Sequence, residues 1–417
     1  MNKGCSAGPV LRGREVRREP GCSPSLACWR VALAAAIAVL AAPALAGQIV
    51  AAAGFDHFYN LEYEEALAAF RAEVAANPTS ADARNHVAQT ILYREMFRTG
   101  ALESQLVTGN NPFLRRPEMK VGAEDEKEFF DFIQRAMELA RTRLQSDPND
   151  TGALYSLGVS HGLRSNYNFL VRKAWLDSLR DATAARRAHN RATEIDPSFT
   201  DARLVQGVYD YVVGGLPFTW KMLGFIAGYR GDRERGIQTL RLVAEKGNIN
   251  RADAAVLLCV ILRRERRTKE TEPYILELIE RYPRSYLLRL ELVQMYGEAG
   301  EKDKALAVIA DLERLRRAGA PGYGRLPEGK MRYARGNLLF WYGDLDQALE
   351  DLRAVTAQAD TLDLNTGSYA WLRLGQTYDL KRMRPQALAA YRQTVTYAPD
   401  SDAAREARVY NASRYRR

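Results

Sequence analysis

The sequence predicts an all-α protein: a right-handed solenoid of about eight antiparallel helical hairpins with insertions and a C-terminal capping helix. Three observations predict it. Alanine, leucine, arginine and glutamate dominate the chain and favour helix, while long alternations of valine, isoleucine and threonine are missing. At 417 residues the chain exceeds what one hydrophobic core supports. Small residues, aromatics and prolines recur at fixed offsets, the mark of a repeat array. The apolar fraction of 47% and charged fraction of 27% are those of an ordinary folded chain, and 16 prolines are too few for a fibrous one.

Residues 1–46 read as a leader to be set aside. Arg12, Arg14, Arg17, Arg18 and Arg30 make it basic, an apolar run follows from Val31 to Leu40, and Ala44-Leu45-Ala46 is a small-x-small cleavage site. Cleavage leaves Gly47 as the first residue and places the product in the periplasm or cell envelope. The other reading is a retained anchor, but a run of about 15 apolar residues interrupted by Pro43 falls short of the roughly 20 that span a bilayer. Arg17-Arg18 stands too far from the apolar run for a twin-arginine signal, and Ser25-Leu26-Ala27-Cys28 precedes that run where a lipobox would follow it. The leader holds six of the 60 Lys and Arg and two of the 51 Asp and Glu, so the remainder is only mildly basic and implies no nucleic acid. Cys5, Cys22 and Cys28 also lie in the leader, so Cys259 alone remains and no internal disulfide is expected.

The repeat is clearest near the C-terminus. Trp371-x2-Leu374-Gly375-x2-Tyr378 is followed by Ala387-x3-Tyr391 and Pro399. Trp, Leu and Tyr share one face of a first helix, Gly375 and Ala387 are small where two helices press together, and Pro399 ends the second helix. This pattern resembles the tetratricopeptide superfamily, with Tyr391 in place of the usual Phe. Copies precede it. The first hairpin has Gly54, Tyr63, Ala66, Phe70 and Pro78; the second has Ala136 and Pro148; the third has Leu154, Leu157, Gly158, Ala185, Ala192 and Pro197. Gly207 marks the fourth, Leu258-Cys259 and Pro283 the fifth, Tyr296, Gly300 and Ala305 the sixth, and Gly336, Gly343 and Ala348 the seventh.

Units of this kind recur about every 34 residues, whereas Pro78, Pro148 and Pro197 lie 70 and 49 residues apart. The excess sits in inserts at 103–124, 163–173 and 214–230. The first contains Gly109-Asn110-Asn111-Pro112 and reads as a loop; the second lengthens the third hairpin. Residues 317–328 read as a hinge-like connection that divides an irregular array, 47–316, from C-terminal repeats, 329–417, and the tail from Asp402 reads as a polar capping helix.

The third insert is apolar, from Leu216-Pro217 through Phe218, Trp220, Leu223 and Phe225 to Gly228-Tyr229, and Gly231-Asp232-Arg233-Glu234-Arg235-Gly236 follows. Residues 207–245 resemble the eukaryotic inclusion-body-clearance family, tetratricopeptide proteins of the mitochondrial outer membrane. The resemblance implies helical repeats around an apolar insert and a lipid-associated role. Read from the residues, Phe218, Trp220, Leu223 and Phe225 either complete a core or form an apolar patch for a partner helix, lipid or membrane surface; one lysine and no broad basic face disfavour the membrane.

Enzyme chemistry finds no constellation. His57, His86, His161 and His189 share no metal-ligand spacing, and no His-Glu-x-x-His, Cys-x-x-Cys, P-loop or Gly-x-Ser-x-Gly occurs. His57 and His161 stand where the repeat has its core Tyr. Cys259 is flanked by Val256, Leu257, Leu258, Val260 and Ile261 and reads as an inert buried thiol. No catalytic residue, metal or cofactor is therefore expected. The superfamily resemblance implies a concave groove lined by the first helices of successive hairpins, with a protein or peptide in it. Matching the repeats puts Asn85, Gln89, Tyr93, Tyr155, Tyr211, Tyr333, Asn337, Arg373 and Gln376 on that groove. Tyr and Arg are residues that anchor interfaces. No paired Lys and Asn set for clamping a C-terminal carboxylate is found. The expectation is a non-catalytic scaffold of the bacterial cell envelope; the alternative is a lipid or apolar-ligand binder built on 216–229.

Overall fold

In the computed structural model the described residues are 51–102, 119–215 and 231–417. They hold seventeen α-helices and no strand. The leader, most of the insert at 103–124 and the apolar residues Phe218, Trp220, Leu223 and Phe225 lie outside the described residues.

The helices pair as eight hairpins, as the repeats predict. They are α1 (51–59) with α2 (Tyr63–Ala76), α3 (Ala81–Arg98) with α4 (Ala123–Ser146), α5 (Thr151–Leu170) with α6 (Trp175–Ile195), and α7 (Arg203–Gly214) with α8 (Arg233–Lys246). Then come α9 (Arg251–Arg264) with α10 (Thr268–Arg281), α11 (Tyr286–Glu298) with α12 (Lys302–Arg317), α13 (Glu328–Tyr342) with α14 (Leu345–Thr356), and α15 (Leu364–Leu380) with α16 (Arg384–Tyr397). The capping helix α17 (Asp402–Ala412) buries Ala403, Ala404 and Ala407 on the last hairpin. First helices of successive hairpins also touch, α3 on α5, α11 on α13 and α13 on α15. This is the stacking of an α-solenoid, in which each hairpin covers a neighbour's apolar face.

Local chemistry explains the punctuation. Prolines 78, 148 and 399 close second helices, and two residues later Ser80, Asp150 and Ser401 cap the next helix by accepting from the backbone N–H of Ala83, Ala153 and Ala404. Within hairpins the small positions are spatial necessities. A Cβ on Gly375 would lie 2.5 Å from the Tyr391 ring, and one on Gly158 2.0 Å from His189. Ala66, Ala136, Ala305, Ala348 and Ala387 are fully buried opposite such glycines or their equivalents. The Tyr-for-Phe exchange at 391 has a reason too: the buried hydroxyl donates to Asp379 Oδ2 at 2.9 Å.

The third hairpin is long because α5 and α6 run on through 163–170 and 175–182, as the insert at 163–173 suggests. At the fourth, Gly214 and Gly231 come together so closely that a Cβ on Gly231 would meet Gly214 N at 2.5 Å. The described ends of the fourth hairpin's insert, Gly214 and Gly231, therefore lie side by side. Asp232 caps α8, and Gly236 lies against Gly207 O where α7 and α8 cross.

Residues 49–417 form one compact unit, and the connection at 317–328 is no exposed hinge. Tyr323 and Leu326 are buried in the same cluster as Ile309, Leu312 and Met331, with Tyr323 Oη donating to Pro283 O at 2.9 Å. Its two glycines at positive φ, Gly319 and Gly322, make turns, and the aromatic and apolar residues between and after them pin the strap down. A glycine- and proline-rich sequence signals turns, not mobility.

Candidate functional site

The inner face is lined by the first helices, and its two ends differ. Toward the N-terminus it is filled by the chain itself. The α1–α2 corner docks about 220 residues further on: Arg284 reaches Asp56 Oδ2 at 2.6 Å and Glu62 Oε1 at 2.9 Å, and its backbone N–H donates to Asn60 Oδ1 at 2.9 Å. Tyr59 packs on Tyr282 with ring centroids 4.7 Å apart and donates to Asp253 Oδ1 at 2.9 Å. Phe97 meets Tyr286, and Gly100 abuts Asp363, the cap of α15. Burial pushes the Asp253 carboxyl up to about 6, against the lowering hydrogen bond from Tyr59. Glu62 is held below its usual range because hydrogen bonds from Arg284 and His57 outweigh its desolvation. A void of about 30 Å³ lies between Leu290, Gln294, Lys330, Tyr333 and Thr366.

Burial between packed helices corrects the groove assignment for several residues. Asn85 is buried and joins α3 to α5, donating to Ser156 O at 2.9 Å and accepting from Ser160 Oγ at 2.7 Å. Tyr155 is buried against His189 and Phe199. Tyr211 is buried and donates to Glu265 at 2.8 Å. Tyr333 is buried in the last core cluster. Tyr93 is half-buried, its ring 5.1 Å from Phe58, and Gln89 is half-buried on the same helix. Repeat matching does not show that the first hairpin docks on residues more than 200 positions further on.

Toward the C-terminus the structure does bring three of the nine together. Arg373 donates from Nε to Asn337 Oδ1 at 2.8 Å and from Nη1 to Gln376 Oε1 at 2.5 Å. Its guanidinium lies 4.6 Å from the Trp341 ring centroid and 5.1 Å from that of Phe340. Gln376 is buried, whereas Trp341 is 52% exposed at the end of α13. A planar cation held by two amides beside an open indole is a ready anchor for a partner's side chains. Trp341 and Phe340 were missed by repeat matching. The signal was Phe340-Trp341-Tyr342 directly before Gly343, three aromatics at a helix end, of which a core explains only Phe340.

The remaining reactive groups are committed to packing. Cys259 is buried and its thiol is pushed up by desolvation. His57, His86 and His161 face Glu62, Glu73 and Asp181 at 2.6, 2.9 and 2.8 Å. His189 is pushed down to about 4 by burial, with Nδ1 on Ala202 O and Nε2 unpartnered. Among the described residues no group of three His, Cys, Asp or Glu is placed to hold a metal, and no helix is long and apolar enough to cross a membrane.

The arrangement is similar to several solved structures. They include yeast Tom70 (10% identity, 88% of this chain and 95% of that one, TM-score 0.40) and YrrB, a TPR protein with an unusual peptide-binding site (17%, 66% and 99%, 0.30). A tetratricopeptide repeat protein from Parabacteroides merdae is a third (13%, 75% and 92%, 0.29). No protein-family model and no curated protein matches the sequence.

Proposed function

We propose that this tetratricopeptide-type solenoid is a non-catalytic interaction scaffold of the bacterial cell envelope that holds a protein or peptide on the inner ends of α13 and α15. The observation that carries the reading is the Arg373 cluster. Asn337 and Gln376 fix a guanidinium beside a half-open Trp341, while the α1–α2 corner is engaged by Tyr282 and Arg284. Pre-organised aromatic and arginine anchors supply most of the affinity in protein interfaces. The leader at 1–46, with its Ala44-Leu45-Ala46 site, supports the envelope location.

The test is affinity capture of the tagged full-length chain from its native envelope, reading the bait's N-terminus and the co-purifying molecules by mass spectrometry. The expected result is a bait beginning at Gly47 with a stoichiometric protein that disappears in the Trp341→Ala, Arg373→Ala double variant. An uncleaved bait, or one carrying lipid and no protein, would move the function to the apolar segment 216–229.

A further inference from the structure

The residues after α17 do not trail into solvent. From an extended Ser413 the chain returns across the inner ends of the last first helices. Arg414 donates from Nε to Asp379 O at 3.1 Å, in the last turn of α15, and the Tyr415 backbone N–H donates to Asp379 Oδ2 at 3.0 Å. Arg417 donates to Phe340 O, in the last turn of α13, and its guanidinium lies 4.8 Å from the Phe340 ring centroid and 5.8 Å from that of Trp341. Tyr415 packs edge-on against Tyr410, centroids 5.1 Å apart, and near Phe340.

The chemistry of this seat is general. Phe340 O and Asp379 O each accept one closing backbone N–H, from Gly343 and Arg382, and keep a second lone pair at the negative end of the macrodipole, where a cation is favoured. Three residues of extended chain span about 10 Å, and packed neighbouring helices lie about 8–10 Å apart. Arginines three apart on an extended strand therefore step from one helix end to the next, as Arg414 and Arg417 do from α15 to α13.

We infer that the row of helix ends at α13 and α15 recognises an extended peptide bearing arginines at positions i and i+3, and that residues 413–417 occupy it as an internal competitor. This deepens the scaffold reading, on which it rests, by naming the partner's chemistry and a way of regulating access. A partner segment must displace Arg417 from Phe340 and Trp341 before it can reach Arg373. Binding is therefore weaker in the intact chain than the surface itself allows.

The experiment uses the full chain and a fluorescein-labelled peptide of sequence Ser-Arg-Tyr-Arg-Arg, read by anisotropy at low and moderate salt. The Arg414→Ala, Arg417→Ala double variant should bind it at least tenfold more tightly than the parent chain. A control peptide with both i and i+3 arginines replaced by alanine should not bind. Should the double variant melt lower than the parent, Arg417→Gln alone keeps Arg414 and Tyr415 on Asp379 and should show a severalfold gain. Equal affinity for parent and variants, or equal binding of the control peptide, overturns the inference. Either of those results leaves the scaffold reading standing if partner capture still depends on Trp341 and Arg373; loss of that dependence with peptide competition intact would instead sink the scaffold site.

Discussion

The two ends of the inner face are built from the same helix type and do opposite things. In the first hairpins, Tyr59, Phe97 and the Asp56–Glu62 pair are spent on Tyr282, Tyr286 and Arg284. In the last hairpins Trp341 stays 52% exposed, and half-buried Arg373 is held by Asn337 and Gln376. A solenoid's inner surface is not a binding groove by default. Where the chain docks on itself, as Tyr59 does on Tyr282, the first helices become core.

Four substitutions separate the ends. The largest effect is expected for Tyr59→Ala, which removes the ring on Tyr282 and the donor to Asp253. It should cost about 3 kcal/mol, toward the lower end for losing a packed aromatic, and a denaturant melt reads it. Arg284→Ala removes the guanidinium from Asp56 and leaves Glu62 with His57 alone at the same seam. Allowing for partial exposure, it should cost about 2 kcal/mol. Because Glu62 is depressed in the fold, its share is present above its unfolded value and is lost as pH falls through its folded one. The gap between parent and Arg284→Ala should thus narrow in acid.

Asp253→Asn works the other way. A carboxyl raised to about 6 favours the fold most below its unfolded value, and that contribution is lost as pH rises through 6. The variant should gain on the parent by about 3 kcal/mol at pH above 7 and match it near pH 4, since one pKa unit is worth about 1.4 kcal/mol. Urea midpoints at the two pH values decide it; a variant less stable at high pH would mean that the charged carboxylate supports the seam. The smallest shift belongs to the open end, where Tyr391→Phe removes only the hydroxyl on Asp379 and should cost about 1 kcal/mol. It should also loosen the tail, since Asp379 holds Tyr415 as well.

Much of this architecture was legible before the structure. The eight hairpins followed from Gly54, Gly158, Gly207, Gly336 and Gly375 and from the prolines that end second helices, because those positions obey local sterics. The Asn337, Arg373 and Gln376 cluster was legible for the same reason, since matching the last repeats places all three on adjoining helix faces. Illegible were Asn85, Tyr155, Tyr211 and Tyr333 as interior residues, and the strap at 317–328 as packed. Asn85, Tyr155 and Tyr211 are buried by partners on other helices, Ser156, His189 and Glu265, and the strap by Pro283, pairings that no local pattern encodes. Tyr391 shows the intermediate case: the departure from Phe was visible, but its partner Asp379 became visible only in three dimensions.

The most direct test of the contrast is site-specific photo-crosslinking of the full chain in its native envelope, with the probe at position 341 or at position 89. Adducts to a discrete protein from 341, and none from 89, are what a filled N-terminal face and an open C-terminal one predict. Adducts from 89 without any from 341 would contradict it, and would mean that the seam opens to receive the partner.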